Sequence, residues 1–373
     1  MKGKCSASMF TSCAIAALLS ACGGGGDSSA PDQTSTTAPE RKPHAMTCDQ
    51  LAGMAIPARA IDLPTNGGTV STAVLTPASG TGAAAIPEYC LVTGIILPVD
   101  PTAFNITFRV ALPTAWNAKV VMFGGGGFSG TIPNVAGNVP AGPTDKLTPL
   151  GRGYATFASD SGHQANAAGS LDGRFLLNEE ATRNWAGEAL KKTHDAAMFL
   201  IKSRYATGEP RKSYFAGGST GGRESLEVIQ RWPGDWDGAI AWYPAWNQAS
   251  AILGGHRMNI ALSQPGAYPN TPKRALILQA ALAACDALDG VVDGLISNQQ
   301  LCNATFDPST AMLNGNPVRC PGGADTGDTC LSDAQITALK TINTPTNFNY
   351  FLASGSTQYP GYNVWGADLG ITS

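Results

Sequence analysis

The segment Phe215-Ala216-Gly217-Gly218-Ser219-Thr220-Gly221-Gly222-Arg223-Glu224 places a serine in a G-x-S-x-G turn. Those five letters recur by chance. They acquire chemical meaning only when a strand precedes and a helix follows, so that a sharp turn presents the serine hydroxyl. Both flanks are legible here: Ser213 to Ala216 reads as a short buried strand, and Glu224 to Arg231 carries Leu226, Val228 and Ile229 in a helical stretch stopped by Pro233-Gly234. Gly217 and Gly221 suit a crowded backbone in which a Cβ would meet the neighbouring strand or helix. The chemistry implied is acyl transfer with Ser219 as nucleophile. A glycine-rich βα turn with a bystander serine is the competing reading.

Acyl transfer needs backbone amides aimed at the oxyanion of the tetrahedral intermediate, each worth about 3 kcal/mol. One follows the nucleophile and is Thr220; the other comes from an earlier glycine-rich loop, and Gly124-Gly125-Gly126-Gly127 follows the strand Lys119 to Phe123 directly. A phosphate loop is disfavoured because no G-K-[ST] follows. A general base is harder to find, since the order in this architecture is Ser, then Asp or Glu, then His. Only His256 follows Ser219, at the start of a loop-rich region with no later strand to carry it back. His44 lies in a tether-like segment, and His194 sits at helical spacing from Leu190 and Met198, which suggests packing. His163 ends a strand after Asp160, where sites form, but a base there would reverse the order.

A second constellation is Cys285-Asp286-Ala287-Leu288-Asp289-Gly290-Val291-Val292-Asp293-Gly294-Leu295. Its three carboxylates, separated by turn-forming glycines, repel one another unless a hard cation such as Ca2+ is bound. The spacing is not that of an EF-hand, and an acidic solvated turn is the alternative.

The elements that position these groups follow a clear order. Val92 to Leu97, Ile106 to Leu112, Lys119 to Phe123 and Tyr154 to Ala158 are β-branched or aromatic runs bounded by turn formers. A helix is expected from about Thr182 to Tyr205, then the strand and elbow, then a strand from Gly238 to Tyr243. Strands alternating with helices predict an α/β fold with a largely parallel sheet. Beyond Pro244 long loops prevail, with helical runs at Lys273 to Ala284 and Asp333 to Ile342, which reads as a separate lid.

At 373 residues the chain is long enough for one large domain plus an insertion. Its 14% charged residues, net charge of −3 and absence of a basic cluster disfavour nucleic acid or an anionic membrane surface as partner. Lys2, Lys4, the apolar run Ala14 to Leu19 and Leu19-Ser20-Ala21-Cys22 form an export signal over residues 1–22 ending in a lipobox-like sequence. Lipidation at Cys22 would be the one link to a membrane, with residues 23–45 as a disordered linker, and would place the protein in the periplasm or on the outer membrane, or make it secreted. Setting aside Cys5, Cys13 and Cys22, sequence proximity favours the pairs Cys48–Cys90, Cys285–Cys302 and Cys320–Cys330 in that oxidising compartment.

Taken together, Phe108-Arg109-Val110-Ala111-Leu112-Pro113 with Trp116-Asn117, the loop Gly124 to Gly130, Gly217 to Glu224 and Cys285 to Leu295 resemble the tannase and feruloyl esterase family of α/β hydrolases. That family also includes mono(2-hydroxyethyl) terephthalate hydrolase, and the resemblance runs from about Cys48 to the C-terminus. It implies an α/β-hydrolase core (46–245) with an inserted lid (246–373), and a serine esterase acting on feruloyl, galloyl or terephthalate monoesters. The oxyanion amides would be Gly127 and Thr220. A structural Ca2+ would be held in the lid by the Asp286, Asp289 and Asp293 side chains and the Val291 and Leu295 carbonyls. Two departures are visible: Gly218 stands where the family usually has a disulfide-bonded cysteine, and the family's catalytic Asp, His and last core strands lie after the lid. The expectation is therefore a truncated chain lacking two triad members, alternatively a non-catalytic, calcium-stabilised surface lipoprotein on an esterase scaffold.

Overall fold

The structure, a computed structural model, describes residues 45–371 apart from 168, 170, 171 and 207. The export signal, Cys22, His44 and the linker up to residue 44 lie outside the described residues. The described residues form one compact unit.

Eight strands make the principal sheet: β1 (Ala55–Ile56), β2 (Gly68–Thr76), β3 (Tyr89–Ile96), β4 (Ile106–Pro113), β5 (Lys119–Phe123), β6 (Ala155–Ser159), β7 (Lys212–Gly218) and β8 (Gly238–Trp242). Their spatial order is β1-β2-β3-β4-β6-β5-β7-β8. The first four form an antiparallel meander, β4 pairs antiparallel with β6, and β6, β5, β7 and β8 run parallel. The parallel part of this α/β-hydrolase sheet is thus the half that carries the turn at Ser219, and β8 is its outermost strand.

Burial explains why β5 and β6 read as continuous apolar runs, since strands covered on both faces need not alternate. Val120, Met122, Phe157 and Phe215 point to one core, shared with Leu190, Ala197, Leu200 and Val228. Those belong to helices α2 (Ala189–Tyr205) and α3 (Thr220–Arg231); a short α1 (Glu179–Arg183) precedes them. Val121, Phe123, Ala158 and Ala216 point to the opposite face, where Val135 and Leu150 of the β5–β6 connection cover them. The helix expected from Thr182 to Tyr205 is interrupted by a π-turn at Asn184–Glu188, with Gly187 at φ 133°. A Cβ at Gly187 would overlap the Glu227 carboxylate of α3, so the break lets the two segments approach.

A third core joins Ile277 and Ala281 of α5 (Thr271–Cys285), Cys302 of α6 (Gln299–Thr305), and Ile336 and Leu339 of α7 (Asp333–Asn343). Before them runs α4 (Gln248–Leu262), a helix that the sequence reading took for loop. Its Gly254-Gly255 pair masks it, and Gly254 is needed because the Tyr359 ring occupies the place of a side chain there. All three expected disulfides form: Cys48–Cys90, Cys285–Cys302 and Cys320–Cys330. Among the described residues no helix is long and apolar enough to cross a membrane.

Candidate active site

Ser219 joins β7 to α3 with φ 57° and ψ −118°, a conformation rarely adopted by a residue with a side chain. The surrounding backbone holds it there. The Ser219 N–H donates to Trp242 O (3.0 Å), while its carbonyl accepts from the amides of Ala245 (2.9 Å) and Arg223 (3.1 Å). Strand and helix are pressed together at this point. A Cβ on Gly217 would overlap the Gly221 carbonyl, and one on Gly222 would lie 2.7 Å from Trp242 O.

The glycine-rich loop is clamped to the first turn of α3. Gly124 N–H donates to Ala216 O (2.9 Å) and Gly221 N–H to Gly125 O (3.0 Å). Thr220 Oγ1 donates to Gly127 O (2.6 Å), so Ser219, Thr220 and Gly127 are brought together as a group. Among the described residues, neither the Gly127 nor the Thr220 amide has a backbone acceptor. Two free N–H groups beside a serine on a strained turn form an arrangement suited to holding an oxyanion.

Glu224 is a member of this site that the sequence reading missed. Four residues after Thr220, it lies on the same face of α3 and is fully buried. Its Oε2 accepts the Gly125 N–H at 2.8 Å, and Oε1 has no partner. Burial, opposed by the positive charge of Arg223, pushes the carboxyl up to about 7. Gly125 is therefore gripped through both its N–H and its C=O. No local pattern marks it, since its partner Gly125 lies 99 residues earlier in the chain.

No histidine is hydrogen-bonded to Ser219 among the described residues. His163 is buried and stacked on Phe175 at 3.6 Å between ring centroids, and its Nδ1 has no partner. Burial drives its pKa down to about 4, so it is neutral at physiological pH. Phe175 in turn packs with Phe128, next to Gly127, and with Trp185, over which Arg223 lies at 4.8 Å. His194 packs within α2, with Nδ1 3.0 Å from Asp195 Oδ1. His256 is exposed on α4, along a groove shared with Arg257 and Asp333.

In the acidic loop, each carboxylate folds back onto local amides. Asp286 accepts from the Asp293 and Gly294 amides (3.2 Å each), Asp289 from Val291 (3.0 Å) and Ser297 (3.1 Å), and Asp293 from Leu295 (3.0 Å). Gly290 and Gly294, at φ 95° and 82°, make the turns. The donor set is all oxygen, Asp289 and Asp293 are exposed and Asp286 half-buried, and the amide bonds orient the side chains, which fits a hard cation. A tighter cluster of ligand atoms, within 4.8 Å, comprises His194, Asp195 and Asp235, but Lys191 Nζ sits 2.9 Å from both carboxylates and takes the place of a cation.

A family model, tannase and feruloyl esterase, matches residues 90–373. An uncharacterized esterase of Agrobacterium fabrum is 40% identical over 329 residues, covering 85% of this chain and 56% of that protein. The mono(2-hydroxyethyl) terephthalate hydrolase of Piscinibacter sakaiensis is 33% identical over 315 residues, covering 78% and 50%. The crystal structure of feruloyl esterase B from Aspergillus oryzae superposes with a TM-score of 0.61 at 23% identity, covering 86% of this chain and 59% of that one, a likeness of fold. The chain spans about half the length of the curated relatives it matches. With the elbow and the glycine loop in place, and a family model matching most of its length, the chain belongs to the tannase and feruloyl esterase family.

Proposed function

We propose that Ser219 is the nucleophile of a serine carboxylic ester hydrolase acting on aromatic esters such as feruloyl, galloyl or terephthalate monoesters. The observation that carries this reading is the strained elbow at Ser219, tied through Thr220 to the glycine loop at Gly127, with both of those amides free of backbone acceptors. Ser219 Oγ attacks the ester carbonyl and gives its proton to a general base. The carbonyl oxygen becomes an oxyanion between the two amides. Collapse breaks the bond to the alcohol, which departs with the proton; water then hydrolyses the acyl-enzyme and restores the serine.

In this reading the base and its orienting acid come from outside residues 45–371, because no described histidine or carboxylate bonds to Ser219. The region 246–373 acts as a lid, stabilised by Ca2+ on Asp286, Asp289, Asp293 and the Val291 and Leu295 carbonyls. The protein works after export, held to a membrane through Cys22. The 373-residue chain should hydrolyse p-nitrophenyl esters near background, and a longer in-frame chain supplying Asp and then His should raise the rate by several orders of magnitude. Robust turnover by the 373-residue chain, abolished in Ser219→Ala, would show that the base lies within it. A longer chain that is equally inert would favour the non-catalytic lipoprotein, to which the departure at Gly218 also lends support.

A further inference from the structure

We propose that Tyr243 is the specificity-determining residue beside Ser219, its ring forming a wall against which an aromatic acyl group stacks. The assignment rests on the reading of Ser219 as nucleophile and adds to it the surface that selects the substrate.

The backbone after β8 crosses the nucleophile. Trp242 O accepts the Ser219 N–H and the Ala245 N–H donates to Ser219 O, so the segment is pinned on either side of Tyr243-Pro244. A Cβ on Gly222 would lie 2.8 Å from Pro244 Cα, which leaves this segment little room to shift. Tyr243 is thus presented by a fixed backbone. Its ring covers the residue before the nucleophile: a Cβ on Gly218 would lie 3.3 Å from Tyr243 Cζ and from its hydroxyl oxygen. The absence of a side chain at 218 and the presence of a ring at 243 are complementary.

Two further observations bear on this role. Tyr243 is 67% exposed, so among the described residues its ring is open to a ligand. It also adopts φ 32°, in the left-handed region where glycine is at ease and a tyrosine is strained. Strain of this kind persists at functional sites when the surroundings enforce it. Trp242, edge-on to the ring at 5.7 Å, extends the same apolar surface. An aromatic ring offset-stacked on such a wall gains over a saturated ring of similar size.

The test needs no general base. Ser219 Oγ forms a bond to the boron of a boronic acid, its proton passes to solvent, and the resulting tetrahedral boronate anion places an oxygen at the Gly127 and Thr220 amides. Binding of phenylboronic and cyclohexylboronic acids is measured by calorimetry and 11B NMR on the parent chain and on Ser219→Ala, Tyr243→Phe and Tyr243→Gly. The preference of the parent for the phenyl over the cyclohexyl compound should fall about five- to tenfold in Tyr243→Gly and persist in Tyr243→Phe. Because glycine relieves the strained φ, Tyr243→Gly should melt no lower than the parent, which a purely structural tyrosine would not allow. A preference unchanged in Tyr243→Gly overturns the assignment while leaving the nucleophile in place. Equal binding by parent and Ser219→Ala, or none by the parent, overturns both.

Discussion

Replacing Glu224 by glutamine keeps the shape of the side chain and removes its titration. In the fold the carboxyl is pushed from 4.5 to about 7, chiefly by burial. A raised carboxyl pKa means that the folded state holds its proton to higher pH than the unfolded chain. Its contribution to stability is therefore fully present below about pH 4.5 and is lost as pH rises through about 7. The 2.5-unit difference corresponds to about 3 kcal/mol of destabilisation once the group is ionised. At pH 5 less than about 1 kcal/mol of that has been incurred, and at pH 8 nearly all of it. Urea unfolding of parent and Glu224→Gln at the two pH values should therefore show the variant gaining about 2 kcal/mol relative to the parent between pH 5 and pH 8. The constant offset from placing an amide NH2 where Oε1 has no partner drops out of this difference. So do Asp160, raised to about 6, and His163, lowered to about 4, which titrate in both proteins. A parent-to-variant gap that does not change with pH would refute the claim that Glu224 carries a buried, shifted charge beneath the glycine loop.

Two other outcomes follow from the packing and from the acidic loop. Gly217→Ala, whose Cβ would overlap the Gly221 carbonyl where both partners are backbone, should cost about 3 kcal/mol or prevent folding, whereas Gly126→Ala, with nothing within 4 Å, should stay within about 0.5 kcal/mol; urea midpoints of the two variants decide it. If the acidic loop holds Ca2+, saturation at about 100 times Kd adds about 2.7 kcal/mol. EDTA should then lower the melting temperature of the parent but not of Asp286→Ala, and an EDTA-insensitive parent would count against the site.

The parts of the site that were legible in the sequence are those set by neighbours along the chain. The turn at Ser219 needs its glycines because β7 and α3 collide within four residues, and the three disulfides join cysteines no more than 42 residues apart. Glu224 escaped because its partner, Gly125, is 99 residues earlier, and nothing local distinguishes it from a solvated helix carboxylate. His163 was considered as a base on its position at a strand end; what decides its state is burial against Phe175, a contact that no periodicity encodes. Of the apolar residues that mark the helix after Ser219, Ile229 is 39% exposed whereas Val228 beside it is fully buried. Low amphipathicity hid α4, and its Gly254 serves the Tyr359 ring rather than any local pattern.

The Cys48–Cys90 bond closes a covalent ring that contains β1 and β2 and exits into β3. Tension applied between residues before Cys48 and any point after Cys90 therefore travels through sulfur and bypasses the two outer strands. A molecule pulled by its N-terminal end would be loaded at β3, which is hydrogen-bonded along its whole length to β4 as well as to β2. Rupture would then require shearing β3 from β4 rather than peeling off the edge, and reducing the disulfide would hand the load to the two-residue strand β1.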